Sequence, residues 1–195
     1  MKGTSETWQG RLLIPTRQQC LELIERHKML PHIVRHSQLV TRVALLIARK
    51  LNAAGHHLDL ALVEAGALLH DITKTMSIET REDHAQTGGE LLASLGYPAV
   101  ADIVRQHICL DSASFDPDAV TEAEVVNYAD KRVKHEEVVG IEERFRDVRE
   151  RYLNKFPGLE GRFEQVQHET RLVEMKIFSK IDISPEEIGD ILCNS

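Results

Sequence analysis

The sequence predicts an all-α protein, on three observations. Apolar residues recur at three- and four-residue spacing along most of the chain, and no segment alternates apolar and polar residues as a half-buried strand would. Aromatic residues make up only 5% of the composition. Leu, Val, Ile and Ala are plentiful, which suits helices packed through aliphatic stripes.

Each element follows from local signals. The polar residues 1–15 read as a flexible leader. Thr16 can cap a helix from Arg17 to about Lys28, with Leu21, Leu23 and Ile24 on its apolar side. Pro31 suits the first turn of a short helix carrying Ile33 and Val34. His36 to Leu51 is strongly amphipathic through Leu39, Val40, Val43, Leu46 and Ile47, and Gly55 closes it. Asp59 to His70 is an apolar helix, followed by a polar stretch from Thr73 to Asp83. Ala85 to Leu95 is helical until Gly96 and Pro98, and Ala99 to Cys109 carries Val100, Ile103 and Val104 as its stripe. Residues 110–118 read as a loop. Glu122 to Val138 is helical with Val125, Val126, Ala129 and Val133 inward. From Ile141 the chain is charged and helical, broken at Pro157-Gly158 and resumed from Leu159 to Ser179. Ser184 and Pro185 suit the cap and first position of a last short helix. The expected organisation is a leader, a helical domain over 16–140, and C-terminal helices over 141–195 packed on the same domain.

The charge balance narrows the function. The formal charge is −7, from 31 acidic and 24 basic residues, which argues against a broad nucleic-acid footprint. A small phosphorylated substrate remains compatible, because a metal ion can supply local positive charge. Cys20, Cys109 and Cys193 are far apart and odd in number, so reduced thiols are expected rather than disulfides or a thiolate zinc site. MKGTSETWQG holds no apolar h-region, and no apolar run reaches the ~18 residues of a membrane span. A soluble, cytoplasmic protein without a membrane partner is the expectation. The charged helices from Ile141 to Ser179 could form a partner surface or a homodimer face, though a solvated exterior of the bundle explains them better.

The ten histidines are the unusual feature. His36 shares a helix face with Val40, Val43 and Ile47. His70 ends a buried helix, four after Gly66 and eight after Leu62, and Asp71 follows it. His107 sits three after Val104, Asp130 four after Val126, and His84 leads into the Ala85 helix on the side of Gly88 and Leu91. Any one of these alone reads as a hydrogen-bonded core residue, a cap or a local ion pair. Together they place four imidazoles and two carboxylates on core-facing stripes of five segments. Buried carboxylates require partners or metal, and helical bundles build metal sites in this way. Nitrogen and oxygen donors without sulfur suit Fe, Mn, Co, Ni or Zn. His27, His56, His57 and His168 lie in charged or turn contexts. His32 and His135 fall off the candidate faces and read as structural or exposed.

The order of these residues resembles the HD-domain superfamily, whose pattern is a His, an adjacent His-Asp pair and a distant Asp. Here these are His36 in RHSQLVTRVALLIA, His70-Asp71 in AGALLHDITK, and Asp130 in NYADKR. DHAQTGGELLASLGY at His84 and VADIVRQH at His107 resemble the extra histidines of HD proteins that hold two metals. The resemblance covers about residues 16 to 135. It departs from the common pattern where HDITK stands for HDIGK, placing Thr73 in the turn before Lys74. No GYP tripeptide follows His107, which removes support for cyclic di-GMP hydrolysis.

The resemblance implies a compact helical bundle and a phosphohydrolase with two divalent transition metal ions, Fe or Mn favoured, with Co, Ni and Zn as alternatives. It implies that Asp71 bridges the ions, with His36, His70 and Asp130 around one and His84 and His107 around the other. Metal-bound hydroxide would attack a phosphomonoester or phosphodiester of a nucleotide or similar small molecule. Asp71 and Lys74 are the candidate catalytic residues. Lys74, Arg81 and Arg132 are the candidate substrate-binding residues, with Lys74 neutralising a phosphate oxygen. A di-iron oxygenase and a non-catalytic ligand-sensing module on the same scaffold are the alternatives.

Overall fold

The computed structural model describes residues 13–111, 116, 118–153, 158 and 160–194. Most of the expected leader (residues 1–12), the loop residues 112–115 and 117, and Pro157 lie outside the described residues. Among the described residues the fold is all-α apart from one short hairpin. In chain order the elements are α1 (Arg17–Arg26), α2 (Pro31–Ala53), α3 (Leu60–Leu69), α4 (Lys74–Thr80), α5 (His84–Ser94), α6 (Pro98–Gln106), α7 (Glu122–Lys131), β1 (Val133–Lys134), β2 (Glu137–Val138), α8 (Ile141–Val148), α9 (Glu160–Phe178) and α10 (Glu187–Cys193).

The caps explain several boundaries. Thr16 and Gln19 form a reciprocal capping box on α1, and Thr121 and Glu124 form another on α7. Asp59 and Asp83 accept from the first-turn amides of α3 and α5. These bonds satisfy donors that a helix start otherwise leaves unpaired.

Four elements differ from the sequence expectation. The two helices expected after Pro31 are one, because Pro31 occupies the first turn and nothing between Val34 and His36 interrupts the backbone bonds. The polar stretch after Thr73 contains α4, which buries no residue and so carries no apolar periodicity. The helix expected to reach Val138 stops at Lys131. There β1 and β2 pair antiparallel, Val133 with Val138 and Lys134 with Glu137, around His135 at φ 55°. The last helix starts at Glu187 rather than Pro185, after a turn in which the Ser184 amide donates to Glu187 Oε2 at 2.7 Å.

Helix α3 is apolar nearly all round, and Val63 and Ala65 to Leu69 are buried. It therefore lies between two apolar clusters. One joins α2 (Val40, Val43, Ile47, Leu51) and α7 to Phe145 of α8, Val173 and Ile177 of α9, and Ile188 and Leu192 of α10. The other joins α1 and α3 to Leu92 of α5 and Val100 and Val104 of α6. Buried polar ties bind α9 to α7 as well. Lys176 Nζ meets Glu124 Oε1 at 2.6 Å, and Tyr128 Oη donates to Glu174 Oε2 at 2.5 Å.

Close approach of α3 and α6 depends on Gly66. A Cβ there would lie 2.7 Å from Ile103 Cγ2 and 3.3 Å from Ile103 Cβ. Gly66→Ala should destabilise the protein by about 1 kcal/mol net, as overpacking of roughly 1–3 kcal/mol outweighs the helix-propensity gain of about 1 kcal/mol. Urea denaturation reads this as a lower midpoint at unchanged m-value; a raised midpoint would show that Ile103 moves aside freely.

Candidate metal centre

Six of the residues singled out from the sequence converge where α2, α3, α5, α6 and α7 meet. His36 projects from α2. His70 and Asp71 leave the C-terminal end of α3, and His84 opens α5. His107 closes α6, and Asp130 lies one residue before the end of α7. All are buried except His84, which is partly exposed.

Hydrogen bonding fixes which ring nitrogen of three histidines faces inward. Nδ1 of His70 lies 2.8 Å from the Ala67 carbonyl oxygen, and Nδ1 of His107 lies 2.6 Å from that of Val104. Each ring thus donates Nδ1–H to a carbonyl three residues back, in the last turn of its helix. Nδ1 of His36 donates likewise to the His135 carbonyl, at 3.1 Å. A neutral ring bound in this way offers its Nε2 lone pair to the interior.

These lone pairs meet carboxylate oxygens. His36 Nε2 is 3.0 Å from Asp130 Oδ1, and His70 Nε2 is 3.7 Å from the same oxygen and 3.4 Å from Asp71 Oδ2. Asp71 Oδ1 lies 3.2 Å from His84 Nε2 and 3.6 Å from His107 Nε2, and those two nitrogens are 3.3 Å apart. Among the described residues, buried His70 Nε2 and Asp71 Oδ1 have no hydrogen-bond partner. Imidazole nitrogens and carboxylate oxygens at such distances need a proton or a metal cation between them, and the donor set fits metal. The groups His36, His70, Asp71 and Asp71, His84, His107 could each hold an ion, with Asp71 common to both.

The electrostatics agree. Burial alone would push the Asp71 carboxyl up, but the Lys74 and His70 charges overcome it and hold it well below the usual carboxylate range. Burial would likewise raise Asp130, and contact with His36 and the charges of Lys131 and Arg144 overcome this. Burial pushes His107 down to about 4, which keeps it neutral near pH 7 and able to ligate. Burial would also lower His70, but Asp71 and Asp130 outweigh it and raise that imidazole above its ordinary value.

The candidate substrate residues separate. Lys74 Nζ sits 2.7 Å from Asp71 Oδ2, at the cluster, with its side chain one-third exposed. Arg81 caps α4 in the left-handed conformation at φ 62° and is exposed. Arg132 is not brought to the cluster. Two residues after Asp130 on a helix, it points to the opposite side. Its guanidinium is buried, donating to Tyr128 Oη at 2.6 Å, to the Val139 carbonyl at 2.7 Å and to the Pro185 carbonyl at 2.9 Å. A phosphate-binding role for Arg132 is corrected to a structural one.

Other residues contribute in ways that the sequence does not announce. Thr73 Oγ1 donates to the His84 carbonyl at 2.9 Å and pairs with Thr87 Oγ1, tying the start of α5 to the His-Asp turn. Its φ of −100° needs no glycine. Asn127 Nδ2 donates to the His107 carbonyl at 3.1 Å, and Lys131 Nζ donates to the same oxygen. His135 takes part through its main-chain carbonyl, which no side-chain pattern reveals. Asn127 and Lys131, neighbours of Asp130 in the NYADKR run, were the nearest available signal.

The HD domain family matches residues 33–134, just over half of the chain, and the chain belongs to that family. Relatives extend beyond this segment. A tRNA (cytidine(56)-2'-O)-methyltransferase of Thermoplasma volcanium is 37% identical over 97 residues, 49% of this chain and 27% of that protein. The Picrophilus torridus protein of the same name is 29% identical over 163 residues, covering 75% of this chain and 44% of that one. Ribonuclease Y of Thermus thermophilus is 28% identical over 162 residues, covering 82% of this chain and 26% of the relative. The chain spans less than half the length of these curated relatives. No solved structure gives a significant match.

A ligating His70 must give up its Nε2 proton, so metal uptake should release a proton and bind more tightly as pH rises. The gain should run from below the ordinary imidazole range up to the raised His70 value and then flatten. Calorimetric titration of Mn²⁺ into chelator-treated protein between about pH 6 and pH 8 checks this; an affinity flat across that window would remove protonated His70 from the ligand set.

Proposed function

We propose that the chain is a metal-dependent phosphohydrolase cleaving a phosphomonoester or phosphodiester of a nucleotide or similar small molecule. One observation carries this reading: two His/Asp groups share the Asp71 carboxylate, with acceptor atoms directed at one another. His36, His70, Asp71 and Asp130 would hold one divalent ion, and Asp71, His84 and His107 a second. The donors favour Fe or Mn, with Co, Ni and Zn as alternatives. When bound, such ions supply Lewis-acid activation of water and neutralise charge on a phosphoryl group.

The chain's own residues prepare that chemistry. The Ala67, Val104 and His135 carbonyls hold three imidazoles in one tautomer and orientation. Thr73 fixes the backbone carrying His84. Lys74 Nζ would bind a non-bridging phosphate oxygen and draw off its charge. An oxygenase could use the same donors, but Lys74 beside Asp71 favours phosphate chemistry. A ligand-sensing module would not need the full ligand set retained here. The free cysteines favour a reducing, cytoplasmic setting, and among the described residues no helix is long and apolar enough to cross a membrane. A homodimer through the charged C-terminal helices is testable by light scattering.

A second reading, cleavage of an RNA phosphodiester, is favoured by the alignment with Ribonuclease Y over 82% of this chain. The net charge of −7 favours the small substrate.

Elemental analysis paired with a phosphate-release screen of nucleotides and a short RNA tests both. Near two equivalents of metal with nucleotide turnover is expected. RNA cleavage alone would move the assignment to the second reading, and iron with oxygen uptake but no phosphate release would move it to the oxygenase. Lys74→Ala should lower turnover on the order of 10²-fold with metal content unchanged; parallel loss of both would make Lys74 a support for Asp71 instead.

A further inference from the structure

Arg144 lies on α8, beyond the segment that matches the HD family. Its Nη2 is 3.9 Å from Asp130 Oδ1, the oxygen that faces His36 Nε2 and His70 Nε2. That contact is Coulombic but too long for a hydrogen bond. Its Nη1 is 3.4 Å from Asp147 Oδ2, and its buried Nε has no acceptor among the described residues. The side chain is only 13% exposed. A guanidinium with five donors is thus held at the edge of the candidate metal centre with an unmet donor.

Asp147 Oδ2 also bonds Arg151 Nη2, whose side chain is 40% exposed. Positions 144, 147 and 151 share one face of α8 and the π-helical turn that continues it, Arg149–Leu153. Seven residues advance such a helix by about 10 Å, so the face runs outward from the metal ligands. Lys74 holds the other carboxylate, Asp71. Each cation thus meets one of the two carboxylates that His70 Nε2 faces.

We propose that the Arg144–Arg151 face is a phosphate-binding subsite, and that the substrate carries a second phosphate beyond the one cleaved. This rests on the hydrolase reading above. Once Asp130 serves a metal ion, its charge is compensated there, and Arg144 is left with an aspartate shared with Arg151. A guanidinium fork matches two phosphate oxygens at once, which makes arginine the fitting residue. Lys74 serves the phosphate being cleaved, and the α8 face receives the next. The second phosphate has two sources: the adjoining group of a nucleoside diphosphate, or the neighbouring nucleotide of an oligonucleotide end.

The test is calorimetric titration of manganese-loaded protein with AMP, ADP and adenosine 3′,5′-bisphosphate, with phosphate release assayed on the recovered sample. A two-phosphate ligand should bind about tenfold tighter than AMP. ADP in front assigns the diphosphate source, and the bisphosphate in front assigns the oligonucleotide source. Arg144→Lys and Arg151→Ala should each erase the preference with AMP affinity and metal content retained, and millimolar guanidinium should restore it in Arg144→Ala. Equal affinity for one- and two-phosphate ligands overturns the proposal, as does a preference that survives Arg144→Lys. Metal loss in Arg144→Lys would reassign Arg144 to support of Asp130 and also overturn it. Preference without any turnover would sink the hydrolase reading and leave the subsite standing; turnover without preference would do the reverse.

Discussion

The structure depends on burying two carboxylates, Asp71 and Asp130, in the middle of an aliphatic bundle. An uncompensated ionised carboxylate in that setting would cost several kcal/mol. Both nevertheless stay ionised, because imidazoles, Lys74, Lys131 and Arg144 surround them. Each surrounding group comes from a different element, so the carboxylates bear on how α2 to α8 are brought together. The described protein cations do not complete the compensation, since His70 Nε2 and Asp71 Oδ1 remain without hydrogen-bond partners among the described residues. The arrangement is therefore most complete with a further cation present.

Much of this was legible in the sequence, for a physical reason. Burial of aliphatic side chains is periodic, and His36, His107 and Asp130 sit in phase with Val40, Val104 and Val126. His70 and His107 both fall just past the last helical residue, where a ring can reach back to the carbonyl three residues earlier. The adjoining Asp71 inherits its burial from α3. What escaped was whatever carries no periodicity. Helix α4 buries nothing, so it read as a polar stretch. The hairpin after Lys131 lay inside a charged run, KRVKHEE, that is compatible with helix. Arg132 and Arg144 look alike in sequence, yet one turns inward to Tyr128 and the other to Asp130. A helix rotates about 100° per residue, which distinguishes Arg132 from Asp130, but nothing local says what α8 will pack against.

Thr73 shows how a departure from a common pattern can be accommodated. Where related sequences often carry glycine, this chain keeps an ordinary backbone conformation and uses the hydroxyl to hold the main chain of His84. The turn loses nothing conformationally and gains a link between two ligand-bearing segments. The small residues are used instead at Gly66 and Gly89, where added Cβ atoms would meet Ile103 Cγ2 at 2.7 Å and Arg105 Cγ at 2.4 Å. Helices α3, α5 and α6 need that proximity for His70, His84 and His107 to meet.

The ties between α7 and α9 bear on where this unit can be cut. Glu124 near one end of α7 and Tyr128 and Arg132 toward the other are held by Lys176 and Glu174 of α9. A chain severed after residue 134, where the family segment ends, would keep Asp130 but leave buried Glu124 without Lys176, and buried Arg132 without Glu174 and the Val139 and Pro185 carbonyls. Breaking a buried pair costs about 3–5 kcal/mol, a large part of what holds a small domain folded. The piece able to move intact between larger proteins is therefore longer than the shared motif. In fusions carrying such a domain, the joint belongs after α10, because the helix that supplies the last aspartate is braced by sequence lying well downstream of it.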